Sequence, residues 1–132
     1  MAIVKATVRV EGPRGFIEGV ALVDTGASLT LLDKGIADRV GARPIGRRVR
    51  MVVADGHEVI GELAILRKLV VEGEELPGAH VALIDFPEEL VRRLRSLGLC
   101  GWCVIGLSTL ELLGLAPNTA VGRVERIGAF FI

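Results

Sequence analysis

Val20-Ala21-Leu22-Val23-Asp24-Thr25-Gly26-Ala27-Ser28 is an apolar run that stops on a carboxylate, followed by a hydroxyl, a glycine and two small residues. An ionised carboxylate beside a core is costly unless it is paired or hydrogen-bonded. The pattern therefore points to a functional acid at a strand end, held by a tight turn. As a bare tripeptide, Asp24-Thr25-Gly26 is equally the chemistry of an ordinary β-turn with a capping Asp. The surrounding chain has to decide between the two.

Upstream, Met1 to Val10 alternates, with Ala6, Val8 and Val10 set against Lys5, Thr7 and Arg9, and Glu11 to Gly15 is turn-forming. With Phe16 to Val23 this reads as a β-hairpin that ends at Asp24. Downstream, Leu29 to Leu32 is a short apolar run, and Asp33 is placed to cap a helix through Val40 that Gly41 stops. Arg47 to Ala54 is extended, Asp55-Gly56 is a strong hairpin signal, and His57 to Leu66 returns as the partner strand. Lys68 to Val71 and Ala79 to Ile84 read as further strands, separated by a loop over Glu72 to Gly78.

Pro87 suits a first helical turn, and Leu90, Val91, Leu94 and Leu97 follow at helical spacing until Gly98. Trp102 to Ile105 is a short buried strand. Ser108 with Glu111 has the form of a capping box opening a helix whose Leu110, Leu112 and Leu113 face inward, and Gly114 ends it. Ala120 to Val124 and Ile127 to Ile132 read as the last strands. Short strands with turns every 8 to 12 residues predict an all-β barrel or sandwich with short helical inserts, one domain over 1–132.

Composition narrows the function classes. The chain has 132 residues, 51% of them apolar, which is enough for one core. Sixteen basic residues balance sixteen acidic ones, so no nucleic-acid or anionic-membrane partner is expected, and the clusters Arg47, Arg48, Arg50 and Arg92, Arg93, Arg95 read as solvated faces. No apolar run reaches the roughly 20 residues that span a bilayer, and Met1 to Lys5 lacks a signal-peptide pattern. A cytoplasmic protein is expected.

Three separated pieces then fall in one order: A-L-V-D-T-G-A-S at 21–28, D-G at 55–56, and V-I-G at 104–106 ahead of a helix. On these the chain resembles the retropepsin-like aspartic proteases, the non-viral single-domain type of bacteria and archaea, over about Phe16 to Leu115. The resemblance implies a closed acid-protease barrel, one lobe per chain, and an endopeptidase that needs no cofactor and no metal. Such chemistry uses two carboxylates about 3 Å apart that share one proton, so that one deprotonates water while the other protonates the carbonyl oxygen. This chain has one aspartate in that context. The resemblance therefore implies a homodimer that joins two copies of Asp24 across a two-fold axis and acts on a peptide or protein substrate.

It further assigns Thr25 a hydroxyl contact across that axis and Gly26 a close backbone approach, with Ala27 and Ser28 completing the loop. Val104, Ile105 and Gly106 would pack beneath that loop. The hairpin at 47–61, with Ala54, Asp55, Gly56 and His57 at its tip, would be the flap that folds over substrate. The alternative is a catalytically inactive peptide-binding or assembly module that keeps the fold.

Retroviral members carry an acid where Ser28 stands and an arginine where Leu107 stands. Their joint replacement removes an ion pair, and the helix at about Pro87 to Leu97 replaces a shorter loop bordering the cleft. Cys100-Gly101-Trp102-Cys103 has the spacing of a redox pair or half a zinc site, but it precedes a strand instead of opening a helix. Structural thiols are the simplest reading, with a disulfide or metal use left open. His57 reads as a solvated turn residue.

Overall fold

Ala6, Val8 and Val10 are buried and Lys5 and Thr7 exposed, so the first strand of the computed structural model has one face on a core, as its alternation requires. The structure describes residues 3–52 and 56–127. This strand, β1 (Lys5–Gly12), pairs antiparallel with β2 (Gly15–Val23). After β3 (Leu31–Asp33) comes α1 (Lys34–Val40), where Asp33 Oδ2 accepts from Gly35 N at 3.0 Å and Gly41 at φ 82° closes the helix in the left-handed region. Both ends were legible in the sequence.

The hairpin β4 (Arg43–Val52) and β5 (Glu58–Val71) is followed by β6 (Glu74–Ile84). The sequence suggested separate strands at His57–Leu66 and Lys68–Val71, whereas β5 is one strand of 14 residues. It stays continuous because it changes partner along one edge. Residues up to Ile65 pair with β4, those from Lys68 to Val71 pair with β1, and β6 runs along the other edge. The expected loop over Glu72 to Gly78 is a two-residue turn. Glu72 and Gly73 have φ 50° and φ 78°, the pattern of a type I′ hairpin, so β6 starts as early as Glu74.

The remaining elements are α2 (Glu88–Ser96), β7 (Cys103–Ile105), α3 (Leu107–Leu113), β8 (Leu115–Asn118) and β9 (Arg123–Arg126). α2 ends at Ser96, so Leu97 leaves the apolar stripe and is half exposed. α3 opens at Gly106 and not at Ser108. Its leading amides are satisfied by carbonyls from elsewhere in the chain: Leu107 N donates to Ala27 O at 2.8 Å and Ser108 N to Ser28 O at 3.0 Å. A side-chain cap is then unnecessary. Leu110 is buried as expected, but Leu112 is exposed. The last strand pair is β8–β9, where Ala120 to Val124 was expected as one strand. Ile127 lies outside any strand, and 128–132 lie outside the described residues.

The sheet order β1-β2-β7-β3-β6-β5 returns on itself through β1–β5 pairing, which makes a closed six-stranded barrel with β4 attached outside β5. The fold is mostly β, as expected. Inside the barrel Leu32, Leu66, Leu69 and Ile105 are fully buried, each worth about 1.5–3 kcal/mol of transfer free energy. A second cluster joins Ile84, Phe86, Leu94, Leu99 and Val104 with half-buried Leu22, Leu31, Met51, Val59, Leu90 and Val91.

Candidate active site

Alternation explains how an acid can follow so apolar a strand. In β2, Ala21 and Val23 point into the barrel, while Val20 and Leu22 belong to the second cluster outside it. Asp24 continues the outer series, not the inner one, and it is exposed in the single chain. Its position is held by three hydrogen bonds. Asp24 N donates to Ile105 O at 2.9 Å, Asp24 O accepts from Ala27 N at 3.1 Å, and Asp24 Oδ1 accepts from Gly26 N at 2.9 Å. The last two bonds make Asp24 to Ala27 a turn locked by its own carboxylate. Among the described residues, Asp24 Oδ2 and the Thr25 hydroxyl make no hydrogen bond within the chain. Thr25, Gly26 and Ser28 are exposed, and Ala27 is half-buried.

β7 lies between β2, to which it is parallel (Leu22↔Val104, Val23↔Ile105), and β3, to which it is antiparallel (Leu31↔Val104, Leu32↔Cys103). Val104 faces the second cluster and Ile105 the barrel interior. Gly106 then passes against the loop that follows Asp24. A β-carbon on Gly106 would lie 2.3 Å from Leu29 O and 2.8 Å from Ala27 O, closer than atoms can approach. Ile105 and Gly106 thus contact the Asp24 turn and the loop after it directly.

Thr30 and Thr109 were not singled out in the sequence. Their hydroxyl oxygens lie 2.6 Å apart, both residues are buried, and Gly106 N donates to Thr30 Oγ1 at 3.0 Å. The available signal was Thr30 standing two residues before Leu32, on the same inward face. A polar group on a buried face requires a partner.

The arms of the 47–61 hairpin are antiparallel through Val52↔Glu58. Gly56 and His57 are exposed, while Ala54 and Asp55 lie outside the described residues. Met51 and Val59, opposite each other on the half of the hairpin nearer its tip, share the second cluster with Leu22, Leu31 and Val104, so that half rests on the same outer surface from which Asp24 emerges. α2 covers that surface too, through Leu90, Val91 and Leu94. Ser28 and Leu107, at the positions of the missing ion pair, sit in segments joined instead by the main-chain bonds to α3.

Cys100 is half-buried and Cys103 fully buried, and both are free thiols. Burial raises the pKa of each thiol, that of Cys103 well above the usual value. Among the described residues no group of three or more His, Cys, Asp or Glu side chains is placed to hold a metal ion. No helix among them is long and apolar enough to cross a membrane.

A closed barrel with β7 seated between β2 and β3, and an Asp-Thr-Gly turn at the end of β2, defines the acid-protease fold. The sequence profile of a family described as aspartyl protease matches residues 6–109. The chain belongs to this retropepsin-like aspartyl protease family. No curated protein matches it with significance.

Proposed function

We propose that the chain is an aspartic endopeptidase, one domain over 1–132, active as a homodimer in which each subunit contributes Asp24. The observation that carries this reading is the Asp24 turn. Its carboxylate is positioned by Gly26 N through one oxygen, and the other oxygen has no partner among the described residues. The neighbouring Thr25 hydroxyl likewise has no partner among the described residues. A two-fold axis beside this turn would bring each group to its own copy. The two carboxylates would then share one proton, the ionised one taking a proton from water and the protonated one giving its proton to the carbonyl oxygen. Gly26, Ala27 and Ser28 keep the turn compact, Val104, Ile105 and Gly106 support it, and the hairpin carrying Gly56 and His57 closes over the peptide. Two free thiols suit a reducing, cytoplasmic setting.

One observation favours a second reading, an inactive module that binds peptides or assembles. The apolar stripe of α2 covers Leu22, Leu31 and Val104, which flank the Asp24 turn. The deciding experiment compares peptide cleavage by the parent chain and Asp24→Asn, with the oligomeric state of both. The endopeptidase reading expects cleavage by the parent and none by the variant, with both dimeric. Cleavage retained in Asp24→Asn overturns it, and two Asp24 carboxylates held well apart in the dimer favour the inactive module.

A further inference from the structure

We infer that the outer edge of β4 and the cavity at its base select acidic peptide segments, which names a substrate class for the endopeptidase reading and rests on it. Among the described residues β4 is the terminal strand of the sheet and pairs with β5 alone. Its ten residues include Arg43, Arg47, Arg48 and Arg50 and no acid. Arg50 lies 3.6 Å from Glu58. Among the described residues, Arg43, Arg47 and Arg48 have no carboxylate within ion-pair distance. A register shift between Pro44 and Arg47 bends the strand there, with Gly46 at φ 74°. Beside this bulge a cavity of about 470 Å³ is lined by Lys34, Arg47, Arg48, Ile60 and Glu62, with Gly46 and Gly61. Its wall has three cations against one carboxylate, and since Lys34 also lies 3.8 Å from Asp85, the excess rests on Arg47 and Arg48.

The whole chain is neutral, so this excess is local. Arginines on an edge strand discourage self-pairing between copies. Among the described residues the same edge has no strand partner, so its backbone N–H and C=O groups are open to an extended peptide by strand addition. Nucleic-acid phosphates can accept from the N–H groups but bring no donor for the C=O groups, whereas an extended peptide matches both, and this favours a peptide. Glutamate or aspartate side chains along such a peptide would pair with Arg47 and Arg48 at the cavity mouth, where charge adds selectivity and association rate more than bulk affinity.

The test uses the Asp24→Asn chain, so that nothing is cut, and fluorescent peptides of about ten residues with one apolar centre and Glu, Ser or Lys flanks. The Glu peptide is expected to bind about tenfold more tightly than the Ser peptide, and the margin shrinks between about 50 and about 300 mM salt. Arg47→Gln/Arg48→Gln should bring the ratio within about twofold, and Arg47→Lys/Arg48→Lys should keep most of it, because Lys retains the charge. Equal binding of the three peptides, no binding, or a preference that survives the Gln pair overturns the inference. So does displacement by a single-stranded oligonucleotide of equal charge at an equal or lower concentration. Selective binding without cleavage by the parent chain would sink the endopeptidase reading and leave this one standing. Cleavage of all three peptides with equal kcat/KM would do the reverse.

Discussion

The hydroxyl oxygens of Thr30 and Thr109 lie 2.6 Å apart in the interior, and Thr30 Oγ1 also accepts from Gly106 N. This small network joins the segment after the Asp24 turn to β7 and α3. Thr30→Val keeps the volume but leaves the Gly106 amide buried without an acceptor. Chemical denaturation should show a loss of about 1–3 kcal/mol. Thr109→Val leaves that amide bond intact and should cost less, and the double variant should cost less than the sum of the two.

Gly106→Ala tests close packing in isolation. Gly106 has φ −98° and ψ 175°, which any residue adopts, so backbone strain is not at issue. The added methyl would lie 2.3 Å from Leu29 O, and both segments are tied down by main-chain hydrogen bonds. A loss of about 3 kcal/mol is expected, at the upper end of overpacking costs. Wild-type stability in this variant would contradict the close approach.

Leu94 and Leu97 share the helical spacing read from the sequence but not the environment. Leu94 is 2% exposed and Leu97 50%. Leu94→Ala should therefore destabilise by about 2–5 kcal/mol, and Leu97→Ala by no more than about 0.5 kcal/mol. Thermal melts of the two variants separate these outcomes.

The two cysteines predict a pH dependence. Burial raises both thiol pKa values in the fold, so above the ordinary thiol value of about 8.5 the unfolded chain holds fewer protons than the native one. Stability is then at its full value below that pH and falls as the pH rises through the raised native values. Alkylation at neutral pH should be slow at Cys100 and slower still at fully buried Cys103, with both reacting at once in denaturant. Rapid native labelling of Cys103 would contradict its burial.

If Asp24 works in pairs, specific activity must depend on protein concentration. It should fall on dilution through the dimer dissociation constant, and the pH–rate profile should be bell-shaped on the acid side of neutrality. Mixing the parent with excess Asp24→Asn chains should suppress activity by forming heterodimers with one carboxylate. Activity proportional to concentration, and unaffected by the variant, would point to a single-chain site.

Much of this architecture is written in local chemistry. The apolar run ending at Asp24, the Asp33 cap with its Gly41 stop, the helix after Pro87 and the Val104-Ile105-Gly106 strand end all depend on neighbours in sequence, and all could be read there. The differences arise where a distant partner decides. β5 continues through Arg67 and Lys68 because β1 takes over from β4, which no local pattern records. Glu72 occupies a left-handed turn position where Asn or Gly would have announced the hairpin. Ser108 loses the expected cap because the carbonyls of Ala27 and Ser28 already serve the α3 amides. The Thr30–Thr109 contact, 79 residues apart in the chain, is legible only as one polar side chain on an inward face.

The position of β7 also constrains the order of assembly. β2 and β3 are close in sequence, yet each finds its neighbour in a strand made about seventy to eighty residues later. Until Cys103–Ile105 enters that slot, the amide of Asp24 lacks its acceptor on Ile105 and the barrel remains open. Contacts this far apart in the chain carry a loop-closure cost and slow folding. The Asp24 turn should therefore become rigid last, and hydrogen exchange during refolding should protect its amide after those of the β5–β6 hairpin.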